Sequence, residues 1–557
     1  MISLLENTSY IAITMIAFLL VLMIWIFLSH KIKNERLKFR VTFGIVFLFF
    51  VFPLLLKIIL TKGFLHNIGD QSFIMAYIRK FIEANSFVDP LIKDVPPYYP
   101  PLFFYLSGKI SRVLNINNIV MAYNIGSLVF FSILIIVLLN HVKTIVDNVQ
   151  NHIKWLYFVF FVFLFFYFFD FEFLYGKSYE NLSFILMIIV ISEIDNKKEN
   201  FSSLKVGILL GIIAMLYFYT LIIFAFAFLI YFYIERRHLK ISKIAAVVLI
   251  SFLVSFPYTF PILKQFFLSL LHNQSSYVCT DISQHDFYPY IPDINTIQGL
   301  LTCFSAIGFF WVFKGRYLFI KLQFAVIYSL YLVNLFAIAF YHKDFLITAR
   351  LWAWGKILFY FVTIIFLKEL LVYLHKKFDR EYMRKVTWSL LTIFTIMAFS
   401  HFFNSNLYRN IEVEARVTKI LSDPTPAKIY SKFDKPYPLI ISNFMHLSVK
   451  SPFFYLLPGN LIYANPFSDL NGRIKYLEKI ESLEGYELYK ALAASPYGKI
   501  DGIVGKEANG KIKFSIYTGM LISVQPPLVF EFALSAFPTE YFTIERAGGY
   551  TVIILKT

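Results

Sequence analysis

The feature that most constrains the fold is a series of long apolar runs that recurs almost to residue 403. Runs of about 18 or more apolar residues are long enough to cross the roughly 30 Å hydrocarbon core of a bilayer. The first of them, from about Tyr10 to Ser29, follows a segment without basic residues and is too long for the apolar part of a signal peptide. The sequence therefore predicts a polytopic α-helical membrane protein whose first apolar run is a spanning helix.

The positive charge of the chain is concentrated in short loops. The formal net charge is +17. Most basic clusters, such as HKIKNERLKFR at 30–40, lie between apolar runs, where an excess of Lys and Arg marks the cytoplasmic side. No stripe of basic and aromatic residues accompanies them, so we expect no nucleic-acid partner. The helix at about 41–60 then carries the next residues, which we call the first-loop segment (61–118), to the outer face.

The run from Val206 to Ile234 needs its own interpretation, because basic loops flank both of its ends. A single crossing would leave one of these loops on the outer face, against the usual charge bias. Two short helices that enter the membrane and return, with a turn near Tyr217–Thr220, remove the conflict. A long, tilted single span with one exceptional loop is the alternative. With two short helices, the chain has about twelve helices and both termini outside.

The composition of the chain changes at residue 404. Asn, Asp, Pro and Gly become common, and apolar residues come in short runs. Segment 469–483 has apolar residues at helical spacing, 499–517 indicates two strands around an Asn-Gly turn, and 541–557 indicates a hairpin around Gly548–Gly549. We therefore predict a transmembrane catalytic domain at 1–403, which includes the first-loop segment, and an extracytoplasmic α/β domain at 404–557.

Acidic and basic residues near the membrane boundary are concentrated in the predicted outer loops. A charge this close to hydrocarbon is costly unless it has a partner or lines a wet cavity, so we expect a polar pocket at the lipid boundary. Such a pocket suits sugar transfer from a polyprenyl phosphate. A carboxylate acts as general base on the acceptor hydroxyl, and Arg or Lys binds the leaving phosphate. The donor is already activated and no Walker-type glycine loop is present, so we expect no cofactor.

Asp70 is the candidate catalytic base, because it lies in the first-loop segment directly before a predicted helix. An N-cap is its alternative role, and the two roles are compatible. Gln71 orients an acceptor or is simply the first helical residue. Arg350 is the first candidate for the donor phosphate and Lys343 the second, with an ion pair to Asp344 or snorkelling to headgroups as the alternative.

Two further pairs are candidate substrate-binding residues. Tyr98 and Tyr99 precede two prolines that stiffen the turn, so their rings could stack on a sugar or pack as part of a loop above the helices. Asp170 and Glu172 end a nearly all-aromatic helix and could supply a second carboxylate, or pair with Lys177.

Other acidic residues give weaker patterns. Asp89 and Asp94 are expected to be solvated loop residues. His285 with Asp281 and Asp286 could bind a divalent metal, but the spacing differs from that of known metal sites. We therefore predict no metal among the site residues.

Two groups of motifs carry a family resemblance. GDQSFIMAYI at 69–78 and YYPPLFFYLSGKI at 98–110 resemble the N-terminal domain of the bacterial galactan 5-O-arabinofuranosyltransferase family. YANPFSDLNGRIKYLEKIESL at 463–483 and YFTIERAGGYTVIIL at 541–555 resemble that family's C-terminal domain. With its acidic first outer loop and many helices, the chain looks like a GT-C glycosyltransferase of the cytoplasmic membrane. The resemblance implies a decaprenyl-phosphate arabinose donor and a cell-wall polysaccharide acceptor outside.

The composition leaves the sugar and the acceptor open. The chain is rich in Phe, Ile, Lys and Asn, unlike the Ala- and Arg-rich proteins of organisms that make arabinogalactan. One alternative is a GT-C transferase that moves lipid-linked mannose or aminoarabinose onto lipid A, protein or polysaccharide. Another is a transporter or flippase of lipid-linked sugars, which should carry charges deep in its helices. Most of the predicted helices have none, which favours the enzyme.

Overall fold

The structure is a computed structural model. It describes residues 2–61, 71–116, 118–146, 151–168, 177–197, 200–235, 240–271, 290–313, 316–341, 348–379, 381–383, 385–393, 423–444, 446–460, 465, 467–517 and 527–556.

Helices make up most of the first 380 residues, and apart from the two short amphipathic helices at Gln71–Glu83 and Leu102–Val113 they are largely apolar, as the runs in the sequence predict. They are α1 (Ile2–Leu28), α2 (Glu35–Thr61), α3 (Gln71–Glu83), α4 (Leu102–Val113), α5 (Ile119–Val146), α6 (Asn151–Phe168), α7 (Ser178–Lys197), α8 (Ser203–Leu216), α9 (Tyr219–Ile234), α10 (Ile241–Leu271), α11 (Ile297–Val312), α12 (Leu318–Tyr341) and α13 (Thr348–Lys377). Within the described residues, five helices are long and apolar enough to cross a bilayer, at 35–56, 119–144, 241–268, 318–336 and 351–377. The chain is a multi-pass membrane protein. The total of about twelve helices stays a prediction, because 394–422 lie outside the described residues.

The prediction of two short helices in the run 206–234 is confirmed. Helix α8 ends at Leu216, and α9 begins at Tyr219. Between them Tyr217 takes an extended conformation, with φ −164° and ψ 91°. The two helices have 14 and 16 residues, or about 21 and 24 Å at 1.5 Å per residue. Each is shorter than the roughly 30 Å that a straight span needs. The break is thus where the sequence predicts it, and the return of the chain to the same face of the membrane stays a prediction.

The C-terminal residues form a small α/β fold, which confirms the predicted class. Its elements are α14 (Thr425–Tyr430), β1 (Leu439–Ile441), α15 (Leu447–Lys450), β2 (Phe454–Tyr455), α16 (Leu470–Glu481), α17 (Gly485–Ala493), β3 (Gly502–Ala508), β4 (Lys511–Ile516), β5 (Leu528–Ala533), β6 (Phe542–Ala547) and β7 (Tyr550–Leu555). The sheet has the order β2-β1-β3-β4-β5, and β7 pairs with both β3 and β6. Strands β1, β2 and β3 are parallel to each other, and the other pairs are antiparallel.

The predicted local signals of this fold are also confirmed. Strands β3 and β4 are joined by Asn509 and Gly510, both with positive φ, as an Asn-Gly hairpin turn requires. Strands β6 and β7 are joined by Gly548 and Gly549, again with positive φ. Asp469 caps α16 by accepting a hydrogen bond from the Gly472 N–H at 3.2 Å.

The chain folds into two compact units, each made of segments that are distant in sequence. Unit 1 comprises residues 1–67, 127–254 and 285–411, and unit 2 comprises 68–126, 255–284 and 412–557. Most of the first-loop segment therefore belongs to the same unit as the C-terminal residues. Leu91 and Ile92 from this segment are buried in one core with Leu439, Tyr455 and Leu477. The predicted domain boundary at 403/404 stays a prediction from composition.

Candidate functional site

Most of the predicted site residues lie outside what the structure describes. This holds for Asp70, Asp170, Glu172 and Lys343, and for the weaker metal candidates Asp281, His285 and Asp286. Gln71 is the first residue of α3 and Arg350 lies in the first turn of α13, but their side chains are not among those described. Their roles stay predictions.

The turn that carries Tyr98 and Tyr99 is held by hydrogen bonds from two tyrosines. The Tyr77 hydroxyl of α3 donates to the Tyr99 carbonyl at 2.9 Å, and the Tyr258 hydroxyl of α10 donates to the Tyr98 carbonyl at 2.8 Å. The Tyr98 ring lies edge-on to Phe467, with centroids 6.1 Å apart. Both side chains are half-buried. The two rings therefore have fixed positions, as the stiff Pro-Pro sequence predicts, and they form part of a packed loop.

Asp89 joins the first-loop segment to the C-terminal residues of unit 2. Its Oδ1 accepts from the backbone N–H groups of Leu91 at 3.0 Å and Ile92 at 2.8 Å, and its Oδ2 accepts from Asn465 Nδ2 at 3.1 Å. Asn465 Nδ2 also donates to the Pro96 carbonyl at 2.6 Å. The side-chain amide of Asn465, which belongs to the motif YANPFSDL, thus binds two points of the first-loop segment.

The environment of Asp89 differs from the prediction of a solvated loop residue. Asp89 is 5 % exposed, and burial raises its pKa to about 6 although the three hydrogen bonds lower it. The solvated-loop prediction is therefore wrong for Asp89 and right for Asp94, whose side chain is exposed. The reason is the Asx turn at Asp89, which draws the carboxylate inward to satisfy two backbone N–H groups.

Lys80 makes a second connection between the same two parts of unit 2. It lies on α3 and is 2 % exposed. Its Nζ donates to the Pro452 carbonyl at 3.3 Å and sits 3.5 Å from the Phe454 ring centroid and 4.6 Å from that of Tyr437. Burial lowers the pKa of Lys80 to about 7. Sequence reasoning missed this residue, because a lysine in an amphipathic helix normally indicates a solvent-facing side.

Arg473 binds two backbone carbonyls within unit 2. Its Nε donates to the Ser468 carbonyl at 2.5 Å and its NH1 to the Leu456 carbonyl at 3.0 Å, and the guanidinium lies 4.3 Å from the Tyr497 ring centroid. Burial lowers the pKa of Arg473 to about 10, so the group remains cationic at neutral pH. Arg473 thus fixes the backbone at Ser468, whose N–H and hydroxyl both donate to the Asn465 carbonyl.

Unit 1 contains a separate cluster of polar and aromatic side chains around Lys356 on α13. Lys356 Nζ lies 5.1 Å from the Trp352 ring centroid and 5.8 Å from that of Tyr360. The Tyr360 hydroxyl accepts hydrogen bonds from the Tyr290 hydroxyl at 3.2 Å and from Gln298 Nε2 at 3.0 Å. Lys356 lies within the candidate span 351–377. An ionisable residue in such a helix indicates a functional position more often than a structural one.

The buried charges of unit 2 and Lys356 of unit 1 are suited to different roles. Asp89, Lys80 and Arg473 are buried and bonded to backbone or amide groups, so they hold structure. Lys356 is a basic residue whose ammonium group lies beside two aromatic rings on a candidate spanning helix, and a lysine ammonium group can bind an anionic oxygen. Within the described residues, no group of three His, Cys, Asp or Glu side chains could hold a metal ion.

A protein-family model establishes the family to which the chain belongs. The model described as arabinofuranosyltransferase N terminal (AftA_N) matches residues 5–398. The chain belongs to the AftA_N arabinofuranosyltransferase family. The match includes every predicted site residue and confirms the family that the motifs at 69–78 and 98–110 indicate. It ends before the α/β fold, so the resemblance of 463–483 and 541–555 to that family's C-terminal domain stays a prediction.

Solved structures agree with a GT-C fold for this AftA_N family member. ArnT from Cupriavidus metallidurans in the apo state has a TM-score of 0.51 at 8% identity, over 92% of this chain and 96% of that chain. ArnT from the same organism bound to undecaprenyl phosphate has a TM-score of 0.50 at 9% identity, over 82% and 94%. The sequence matches no curated protein. At such low identity the likeness defines the fold of the chain and not its substrate.

Proposed function

We propose that the protein transfers arabinofuranose from a polyprenyl phosphate to a cell-wall or surface polysaccharide on the outer face of the cytoplasmic membrane. The observation that carries this proposal is the AftA_N family match over residues 5–398. The GT-C fold supports it, since the related fold of ArnT was solved with undecaprenyl phosphate bound. In this proposal unit 2 is extracytoplasmic and contributes to acceptor binding.

The proposed reaction needs one base and at least one cation. Asp70 takes the proton from the acceptor hydroxyl as its oxygen bonds to the anomeric carbon of the donor sugar. The bond from that carbon to the phosphate oxygen breaks, and the polyprenyl phosphate leaves with the electron pair. Arg350 and Lys343 stabilise the charge that develops on this phosphate.

We add Lys356 to the proposed phosphate-binding residues. It lies on the same helix as Arg350, within a candidate span, and its ammonium group is beside the Tyr360 hydroxyl cluster. Tyr98, Tyr99 and Gln71 are proposed to contact the acceptor, and Asp170 and Glu172 to bind sugar hydroxyls. Hydrogen bonds to the backbone carbonyls of Tyr98 and Tyr99 support their proposed contact with the acceptor. Rings on a fixed backbone lose less conformational entropy when they stack on a sugar.

The test is sugar transfer by the full chain in nanodiscs from synthetic polyprenyl-phosphate sugars, including arabinofuranose, mannose and aminoarabinose donors. We expect Asp70→Asn to lower kcat by about 100-fold or more, because general-base catalysis contributes about 10²- to 10⁴-fold. Asp94→Asn, an exposed carboxylate in the same segment, is the matched control and should transfer at the wild-type rate. Lys356→Gln should raise the KM of the donor more than that of the acceptor.

The outcomes separate the alternatives. Full turnover by Asp70→Asn would remove Asp70 from the mechanism. Consumption of a mannose or aminoarabinose donor without any use of arabinofuranose would replace the proposed sugar. If no donor is consumed in nanodiscs while the same chain in sealed proteoliposomes moves lipid-linked sugar across the membrane, the protein is a transporter.

A further inference from the structure

Three tyrosines form a cluster at the surface of unit 2, away from the residues discussed so far. Tyr486 and Tyr489 are three residues apart on α17, and Tyr541 directly precedes β6. Their ring centroids are 6.4 Å apart for Tyr486 and Tyr489, 5.5 Å for Tyr486 and Tyr541, and 5.4 Å for Tyr489 and Tyr541. We call these three residues the tyrosine cluster.

The tyrosine cluster reaches solvent through Tyr486, while Tyr489 and Tyr541 are half-buried beside it. Tyr486 is 55 % exposed, and within the described residues of 423–556 it is the most exposed aromatic side chain. The ring planes of Tyr486 and Tyr489 are 23° apart and those of Tyr489 and Tyr541 are 34° apart. Those of Tyr486 and Tyr541 are 52° apart, so the three rings are mutually tilted and form one contiguous aromatic patch.

Tyr489 is held in place by contacts with the body of unit 2. Tyr489 packs edge-on against the buried Phe542, with centroids 6.1 Å apart, and its hydroxyl donates to the Lys556 carbonyl at 3.3 Å. Gly485, which begins α17, has φ +56° and lies beside Pro538. A residue with a Cβ would be strained at this φ. Gly485 therefore allows the backbone turn with which α17 begins, one residue before Tyr486. Fixed rings lose little entropy when a ligand stacks on them.

The charges around the cluster distinguish between ligand classes. The exposed basic residues Lys490 and Lys556 lie on the side of Tyr489. Glu487 directly follows Tyr486, Glu540 directly precedes Tyr541, and Glu484 lies two residues before Tyr486; all three are exposed, and the Tyr541 hydroxyl is hydrogen-bonded to the Glu540 carboxylate. Such acidic neighbours, in a chain with a net charge of +17, disfavour an anionic lipid surface or a nucleic acid. They are good acceptors for the hydroxyl groups of a sugar, whose C–H faces stack on aromatic rings.

We propose that the tyrosine cluster is a binding surface for a neutral polysaccharide, which holds the acceptor chain at a distance from the transfer site. This inference rests on the proposed function for the identity of the ligand as the acceptor. The surface itself rests on the contacts of Tyr486, Tyr489 and Tyr541. A longer acceptor would then bind more tightly than a short one, because it reaches both the transfer site and the cluster.

The experiment is saturation-transfer NMR and titration of the full chain in nanodiscs with short galactan and arabinan oligosaccharides, in the absence of donor. We expect Tyr486→Ala to weaken binding by about tenfold and Tyr486→Phe to leave it within about twofold, because stacking depends on the ring. Tyr382→Ala is the matched control, since Tyr382 is 56 % exposed in unit 1. Wild-type binding by Tyr486→Ala, or binding of neither oligosaccharide, would overturn the inference.

A second measurement separates this inference from the proposed function. Transfer to a simple alkyl glycoside should be the same for wild type and Tyr486→Ala, while the KM for a long polysaccharide acceptor should rise about tenfold without a change in kcat. A chain that binds oligosaccharide through Tyr486 but consumes no donor would contradict the proposed function alone. Equal loss of transfer to both acceptors would contradict the role of the cluster.

Discussion

At the scale of single residues, the buried charges of unit 2 show how burial changes the part a charged side chain plays. Asp89 accepts three hydrogen bonds and Lys80 lies against two rings and a carbonyl. Neither is available to a substrate in this arrangement. Burial moves the pKa of each toward neutrality, upward for Asp89 and downward for Lys80. A buried charge with bonded partners is costly to disturb, which makes both residues sensitive points of unit 2.

The raised pKa of Asp89 predicts a particular pH dependence of stability. The folded-state pKa of about 6 lies above the ordinary 3.8, so the folded protein binds the proton more tightly. The stability from this group is therefore present at low pH and is lost as the pH rises from 3.8 to about 6. From pH 8 to pH 5, wild type should gain about 1 kcal/mol relative to Asp89→Asn.

Thermal unfolding of both proteins across this pH range measures the difference. The pKa of Lys80 is about 7 in the fold against an ordinary 10.5, and the Asp89 charge is one of the groups that raise it. The difference assigned to Asp89 is therefore read at the acidic end of the range, where Lys80 is protonated in the folded protein. Asp94→Asn, which changes an exposed carboxylate, should retain the wild-type slope. Parallel pH curves for wild type and Asp89→Asn would show that Asp89 does not titrate in this window.

At the scale of elements, the paired short helices α8 and α9 show how a loop-charge argument can define a fold. Basic loops at both ends of 206–234 favour two crossings over one exceptional loop, and the helix does break at Tyr217, where there is neither proline nor glycine. Helix α8 packs closely on α10 through Gly207 and Gly211. A Cβ at Gly207 would lie 2.7 Å from Ile250 Cβ, and one at Gly211 would lie 2.6 Å from Val254 Cβ. Small residues four apart allow this approach.

Enlarging Gly211 should therefore loosen the packing of α8 on α10. We expect Gly211→Val to destabilise the protein by about 1–3 kcal/mol, because overpacking forces the backbones apart. Gly44→Val is the matched control, since nothing lies within 4 Å of a Cβ at Gly44 on α2. Thermal unfolding in detergent measures both variants. An equal loss from both would mean that a general helix effect, and not contact with Val254, is responsible.

At the scale of the whole molecule, unit 2 joins chain segments that are more than 300 residues apart in sequence. The Tyr455 N–H donates to the Leu91 carbonyl at 2.7 Å, and Asn465 binds Asp89 and Pro96. Leu91 and Ile92 belong to the same buried core as the C-terminal sheet. The part of the first-loop segment that contains these residues is thus folded on residues from the far end of the chain.

Because residues 89–97 and the C-terminal sheet share one buried core, we expect these two segments to unfold locally together. Asn465→Ala removes three side-chain hydrogen bonds, to Asp89, the Pro96 carbonyl and the Phe467 N–H, and leaves a buried carboxylate oxygen without its amide partner, which costs about 2–3 kcal/mol. Amide hydrogen exchange should accelerate about tenfold or more in peptides from 89–97 and from 439–456 alike. Lys475→Ala, an exposed change on α16, should leave both unchanged. Faster exchange confined to one of the two segments would mean that they unfold independently.

The sequence alone determined the features that depend on local chemistry. Apolar run length predicted the membrane helices, loop charge predicted the break near Tyr217, and turn glycines predicted the two hairpins. Motifs at 69–78 and 98–110 predicted the family. Tertiary structure alone decided that Asp89 is buried and that Lys80 lies between rings, and it alone brought the tyrosine cluster together. Those arrangements join residues distant in the chain, and no local pattern encodes which distant segment will cover a given side chain.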